Sequence, residues 1–214
     1  MKYNGFKRGG LHNEYSALLD PDPLTVAAFA AALYFLDIRT ITALAAAAAV
    51  HELGHLICLR LLGLRIKGIR AEAQGFCIDY TGETTHLGHA AAALAGPAAG
   101  LVCAFAFSAL SNITAAGWLG LTAGISLLLS LFNLLPVLPL DGGRIMYCAA
   151  SALLGGIKGR RFTACTGYAV SFAMLAFGVH ILLRGYGFGL AAAAVWLILS
   201  PDPQLSIEKK IKVM

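Results

Sequence analysis

Charge is what this sequence has least of. Only 13% of its 214 residues are Asp, Glu, Lys or Arg, against 58% hydrophobic, and the mean hydropathy is +0.75. A water-soluble domain carries about 25% charged residues, so an ordinary soluble globule is excluded. A long basic face with interleaved aromatics is also missing: the formal charge of +5 comes from small Lys/Arg groups set between apolar segments, which argues against a nucleic-acid partner. The five cysteines, at 58, 77, 103, 148 and 165, are odd in number and irregularly spaced, so no disulfide framework is indicated. A cleavable leader is not expected either, because Glu14, Asp20 and Asp22 separate the basic start from the first apolar run.

What is present is a series of apolar stretches near the length that crosses a hydrocarbon core, about 20 residues. They lie near 22–38, 40–62, 87–110, 115–135, 162–183 and 187–200. A further apolar piece, 143–155, is too short to span. The expected fold is therefore an all-α polytopic membrane protein of about six helices, a single integral domain over 1–214 with its core at 40–150 and no separate soluble domain. Six crossings place Lys2, Lys7, Arg8, Arg60, Arg65, Lys67, Arg70, Arg144, Lys158, Arg160, Arg161, Lys209, Lys210 and Lys212 on one side and only Arg39 and Arg184 on the other. Basic residues accumulate in cytoplasmic loops, so both termini are expected to be cytoplasmic. Residues 65–85, with β-formers at Ile66, Ile69, Phe76, Ile78 and Tyr80 and glycines at 68, 75 and 82, predict a short hairpin or strand pair on that side.

Within the second apolar stretch stands HELGH, residues 51–55. On a helix, residues i and i+4 share one face about 6 Å apart along the axis, so His51 and His55 can turn imidazole nitrogens toward one ion. This is the HExxH pattern of zinc hydrolases, in which the histidines hold Zn²⁺ and the glutamate, here Glu52, takes a proton from water. Ionisable groups inside a membrane helix are costly and usually line a functional cavity. The bland alternative is a set of neutral interhelical polar contacts.

A catalytic zinc site needs a third protein ligand. The candidate is Asp141, in LFNLLPVLPLDGGRIM at 131–146, where Pro136 and Pro139 forbid regular helix and Gly142 and Gly143 allow bends that aim Asp141 back into the bundle. A glutamate ligand on a later helix, as in other membrane zincins, is disfavoured because Glu208 is the only glutamate after position 83. His86 and His89 form a second pair at i, i+3, read as interfacial rather than ligating; His12 and His180 are isolated.

HELGH, AGPAAG at 95–100, and Asn133, Pro136 and Asp141-Gly142 in the order NxxPxxxxDG resemble the site-2 protease family of intramembrane zinc metalloproteases. The small size and basic loop are most similar to its sporulation stage IV factor B branch, without the PDZ or CBS domains other members carry. The resemblance implies Glu52 as catalytic residue, His51, His55 and Asp141 as zinc ligands, and Asn133 as a substrate-positioning residue. It implies hydrolysis of a peptide bond in or next to a membrane segment of a protein substrate, such as a pro-sigma or anti-sigma factor, in the cell membrane, with the site opening to the cytoplasm and regulatory membrane partners conceivable. The competing class is a non-proteolytic metal-binding protein or metal transporter, which would need further inward-facing ligands along a path.

Overall fold

The structure is a computed structural model that describes residues 34, 36–72 and 75–200. Six helices and one hairpin are described: α1 (Ile38–Leu61), β1 (Arg65–Glu72), β2 (Gly75–Thr81), α2 (His86–Thr114), α3 (Gly117–Asn133), α4 (Asp141–Leu154), α5 (Gly156–Leu183) and α6 (Gly189–Leu199). Three of them, α1, α2 and α5, are long and apolar enough to cross a membrane; α3, at 17 residues, and α6, at 11, are shorter apolar helices. The expected first crossing at 22–38 lies almost wholly outside the described residues. The apolar piece at 143–155 forms α4, which starts two residues earlier, at Asp141.

The distribution of side-chain sizes is that of a bundle solvated by lipid. Its exterior carries large apolar groups such as Val102, Phe105, Leu128 and Phe172, whereas Thr122, Ser126, Ser130, Thr163 and Ser171 are among the most buried side chains. Without a hydrophobic drive between helices, association in lipid depends on close packing of small residues. The helices bear this out at specific places. A Cβ on Gly54 would stand 2.4 Å from the Ala95 carbonyl oxygen and 2.7 Å from the Ala99 Cβ, so glycine is what lets α1 lie against α2. A Cβ on Gly100 would meet the Ser130 hydroxyl of α3 at 2.2 Å. Helix α2 is the hub, touching α1, α3 and α4, while α5 packs on α4 and α6.

The hairpin expected at 65–85 is present as two antiparallel strands pairing Arg65 with Thr81 through Glu72 with Gly75, with an irregularity between Ile66 and Gly68. It is fastened to the bundle by Ile78 and Tyr80, which pack on Leu59, Leu64 and Ala92. The Tyr80 hydroxyl also lies within hydrogen-bond distance, 3.0 Å, of His89 Nδ1. His89 thus ties the hairpin to α2.

Between α3 and α4 the chain is irregular over residues 134–140, as Pro136 and Pro139 require. Its polar backbone is largely satisfied internally: Leu134 N–H donates to Ser130 O, Leu135 N–H to Phe132 O, Val137 N–H to Leu135 O and Leu140 N–H to Val137 O, and the prolines have no N–H to satisfy. Such backbone is tolerated at membrane depth only under protein cover or beside a water-filled cavity. Val137 and Leu140 supply that cover by packing with Leu197, Val170, Met174 and Trp196 of α5 and α6. Gly142 and Gly143 act differently from the expected bends. Both are helical, and their missing Cβ atoms would stand 2.1 Å from Leu134 O and 2.4 Å from the Val137 carbonyl carbon, so they let α4 press against the preceding loop.

One test follows from the α1–α2 contact. Gly54→Ala should destabilise the purified protein by about 1–3 kcal/mol, because the obstructing atoms belong to backbone and to a Cβ with no freedom to rotate away. A lowered thermal midpoint in detergent is the expected result.

Candidate metal centre

Three ligand atoms from two distant parts of the chain meet in the middle of the bundle. His51 Nε2 lies 3.1 Å from Asp141 Oδ2, His55 Nε2 lies 3.2 Å from the same oxygen, and the two Nε2 atoms are 3.2 Å apart. The nearly equilateral triangle is built by α1, which presents both histidines on one face, and by the first residue of α4. His51 and Asp141 are each only 5% exposed. Leu140 holds the N-cap position of α4, and the Asp141 carboxylate faces the imidazoles.

Hydrogen bonding alone does not satisfy this triangle. His55 Nδ1 donates to the Ala92 carbonyl oxygen at 2.7 Å, which leaves a neutral His55 with a bare lone pair at Nε2. That lone pair faces a carboxylate oxygen 3.2 Å away. One N–H on His51 Nε2 could serve only one of these two acceptors well, so the cluster is satisfied either by a further proton on His55 or by a metal ion shared among the three atoms. The spacing fits Zn²⁺: bonds of about 2.0–2.2 Å at tetrahedral angles put ligand atoms about 3.3 Å apart. Two imidazoles and one carboxylate also leave the fourth position of a tetrahedral site open, as catalytic zinc requires. His51, His55 and Asp141 are the one group of three potential ligands among the described residues whose atoms converge in this way.

Surrounding groups hold the ligands in place. A Cβ on Gly96 would stand 2.2 Å from His55 Nε2, so the glycine of the AGPAAG stretch is the space the imidazole occupies. The Ala92 carbonyl, one turn earlier on α2, orients the same ring. Arg144, one turn along α4, sits 3.7 Å from Asp141 Oδ1, the carboxylate oxygen that does not face the histidines. This Arg144 contact was missed in the sequence, although i, i+3 spacing from Asp141 would have found it. No sequence signal marks the Ala92 carbonyl. Glu52 is partly buried beside the cluster, within electrostatic range of both histidines, Asp141 and Arg144. Asn133 closes α3, and its side-chain amide donates to Leu129 O at 3.0 Å. His51 Nδ1 is buried with no hydrogen-bond partner among the described residues.

The helical arrangement is that of a site-2 protease. The site-2 protease from Methanocaldococcus jannaschii superposes with a TM-score of 0.61 over 81% of this chain and 82% of that one, at 22% sequence identity. The profile of Peptidase family M50 matches residues 108–178, a segment that includes Asn133 and Asp141. Among curated relatives, Rip3 of Mycobacterium tuberculosis, which carries a zinc metalloprotease name, is 32% identical over 190 residues, 82% of this chain and 46% of Rip3. The zinc metalloprotease MJ0392 of Methanocaldococcus jannaschii is 28% identical over 135 residues, 61% of this chain and 40% of that protein. The chain therefore spans less than half the length of these relatives.

Gly96→Ala tests the geometry. The new methyl group must displace the His55 ring, so zinc affinity should fall about 10–100-fold, the range for disturbing the groups that orient a metal ligand. Zinc stoichiometry after dialysis against a graded chelator is the measurement.

Proposed function

We propose that this chain is an intramembrane zinc metalloprotease that hydrolyses a peptide bond in or next to a membrane segment of a protein substrate. The observation that carries the proposal is the convergence of His51, His55 and Asp141 with Glu52 beside them, inside a bundle whose exterior is apolar. In this reading His51 and His55 bind zinc through Nε2 and Asp141 through Oδ2. Zinc held there supplies Lewis acidity, which acidifies water and polarises a carbonyl. Glu52 accepts a proton on its carboxylate as the water oxygen attacks the scissile carbonyl carbon. The same carboxylate then delivers that proton to the leaving amide nitrogen as the C–N bond breaks. Arg144, beside the other oxygen of Asp141, holds that carboxylate in one orientation.

The substrate must be unwound before its carbonyls are open to attack, since a helix keeps them hydrogen-bonded. The β1–β2 hairpin, joined to α1 and α2 next to the metal cluster, offers an edge on which an extended segment can pair. Asn133 assists there: with its NH₂ group donating to Leu129 O, its side-chain oxygen is the atom to present to a substrate N–H. Six crossings with cytoplasmic termini, the arrangement the distribution of Lys and Arg favours, would put the opening on the cytoplasmic side. The substrate class we favour is a membrane-associated precursor or inhibitor of a transcription factor, of the pro-sigma or anti-sigma kind. A metal transporter is the weaker alternative, because no second group of ligands lies along a path among the described residues.

Glu52→Gln retains size and hydrogen bonding but removes the base. Cleavage of a co-reconstituted membrane substrate should fall about 10²–10⁴-fold while zinc stoichiometry stays unchanged. Undiminished turnover would refute the role of Glu52.

A further inference from the structure

Arg144 stands in the first turn of α4, three residues after Asp141, with 53% of its side chain exposed. Its Nη1 lies 3.7 Å from Asp141 Oδ1, an ion-pair contact but too long for a hydrogen bond. Asp141 is its one ion-pair partner among the described residues, so the five N–H donors of the guanidinium remain open to a further acceptor. Glu52, on α1, is within electrostatic range of the same guanidinium. The proposed base and this cation therefore lie together beside the triangle of His51, His55 and Asp141, delivered by two different helices.

Hydrolysis moves charge through this space. As the water oxygen bonds to the scissile carbonyl carbon, the water proton passes to Glu52 and the π electron pair of the carbonyl moves onto its oxygen. Negative charge thus leaves the Glu52 carboxylate and appears on the substrate. As the C–N bond breaks, the carbonyl re-forms and the proton passes from Glu52 to the nitrogen. We propose that Arg144 is a catalytic residue in this sequence, its guanidinium donating to the scissile carbonyl oxygen and stabilising the charge that develops there. The assignment rests on the proteolytic reading above and adds a second role to the steadying of Asp141. Donors aimed at developing charge act most strongly where screening is poor, as in an apolar bundle. The amino end of α4 carries partial positive charge of its own, so helix and side chain both favour an anion there. A planar guanidinium can keep one nitrogen near Asp141 while another faces the substrate. Asn133 is the poorer candidate, because its NH₂ group already donates to Leu129 O.

Arg144→Gln tests this, since a half-exposed side chain leaves little packing to lose. With zinc bound, the variant should cleave the co-reconstituted membrane substrate with kcat lowered about 10²–10³-fold, the cost of one such donor. KM should change less than about three-fold. Affinity for a capped Leu-Ala phosphinic peptide, whose tetrahedral PO₂⁻ group stands in for the reacting carbonyl, should fall by about the same factor as kcat. Affinity for the parent Leu-Ala amide, measured with Glu52→Gln in both proteins to prevent cleavage, should hold. Arg144→Lys should recover part of kcat, having the charge without the fork. In the wild type, bound phosphinic peptide should shield Arg144 from phenylglyoxal, read by mass spectrometry, a measurement that needs no variant to fold. Wild-type kcat in zinc-loaded Arg144→Gln, an equal loss of affinity for both peptides, or Arg144 modified equally with and without the phosphinic peptide would overturn the assignment. Loss of zinc with unchanged kcat per bound zinc would overturn it too, leaving only the steadying of Asp141. A zinc-loaded wild type that neither cleaves the substrate nor binds the phosphinic peptide would overturn the proteolytic reading itself, and the role of Arg144 with it.

Discussion

Two imidazole nitrogens and a carboxylate oxygen are held within 3.2 Å of one another in an apolar bundle, with the Ala92 carbonyl, Gly96 and Arg144 packed around them. Left without a cation, the lone pairs of His55 and Asp141 would face each other in a medium that screens them poorly, which is a costly arrangement. A divalent ion converts that cost into binding energy. Gly96 leaves room for the His55 ring, while Gly54, Gly142 and Gly143 stand at close backbone contacts of the elements that carry the three groups. Each allows an approach that a methyl group would block.

The same constraint explains the division of labour between regular and irregular chain. Helix α1 delivers two ligands by periodicity alone. The third comes from α4, and the chain reaches it through a proline-broken loop whose amides are largely bonded internally and whose apolar side chains are clamped by α5 and α6.

Much of this was legible in the sequence because it depends on local rules. HELGH announces a paired-ligand face, the two prolines mark where α3 must stop, and alternating β-formers between glycines mark the hairpin. The structure brings His51, His55 and Asp141 together, as the spacing and the family resemblance led one to expect. Less legible was whatever depends on tertiary approach. Gly142 and Gly143 read as bend-formers, yet they are helical and serve a backbone contact that only the folded loop defines. Apolar runs show that a segment suits lipid but not how much of it becomes helix, so 187–200 yields an 11-residue helix and 143–155 a helix that begins two residues earlier, at Asp141. The Ala92 carbonyl that orients His55 could not have been singled out, since every residue has such a group.

The central claim is that one zinc ion is held jointly by α1 and α4 through two nitrogens and one oxygen. X-ray absorption at the zinc edge of the purified full chain measures this directly. The account predicts light-atom scatterers at about 2.0–2.2 Å with the multiple-scattering signature of two imidazoles, reduced when Asp141 is replaced by Asn. A sulfur shell near 2.3 Å, which would bring in one of the cysteines, or a zinc environment indifferent to Asp141→Asn, would contradict it.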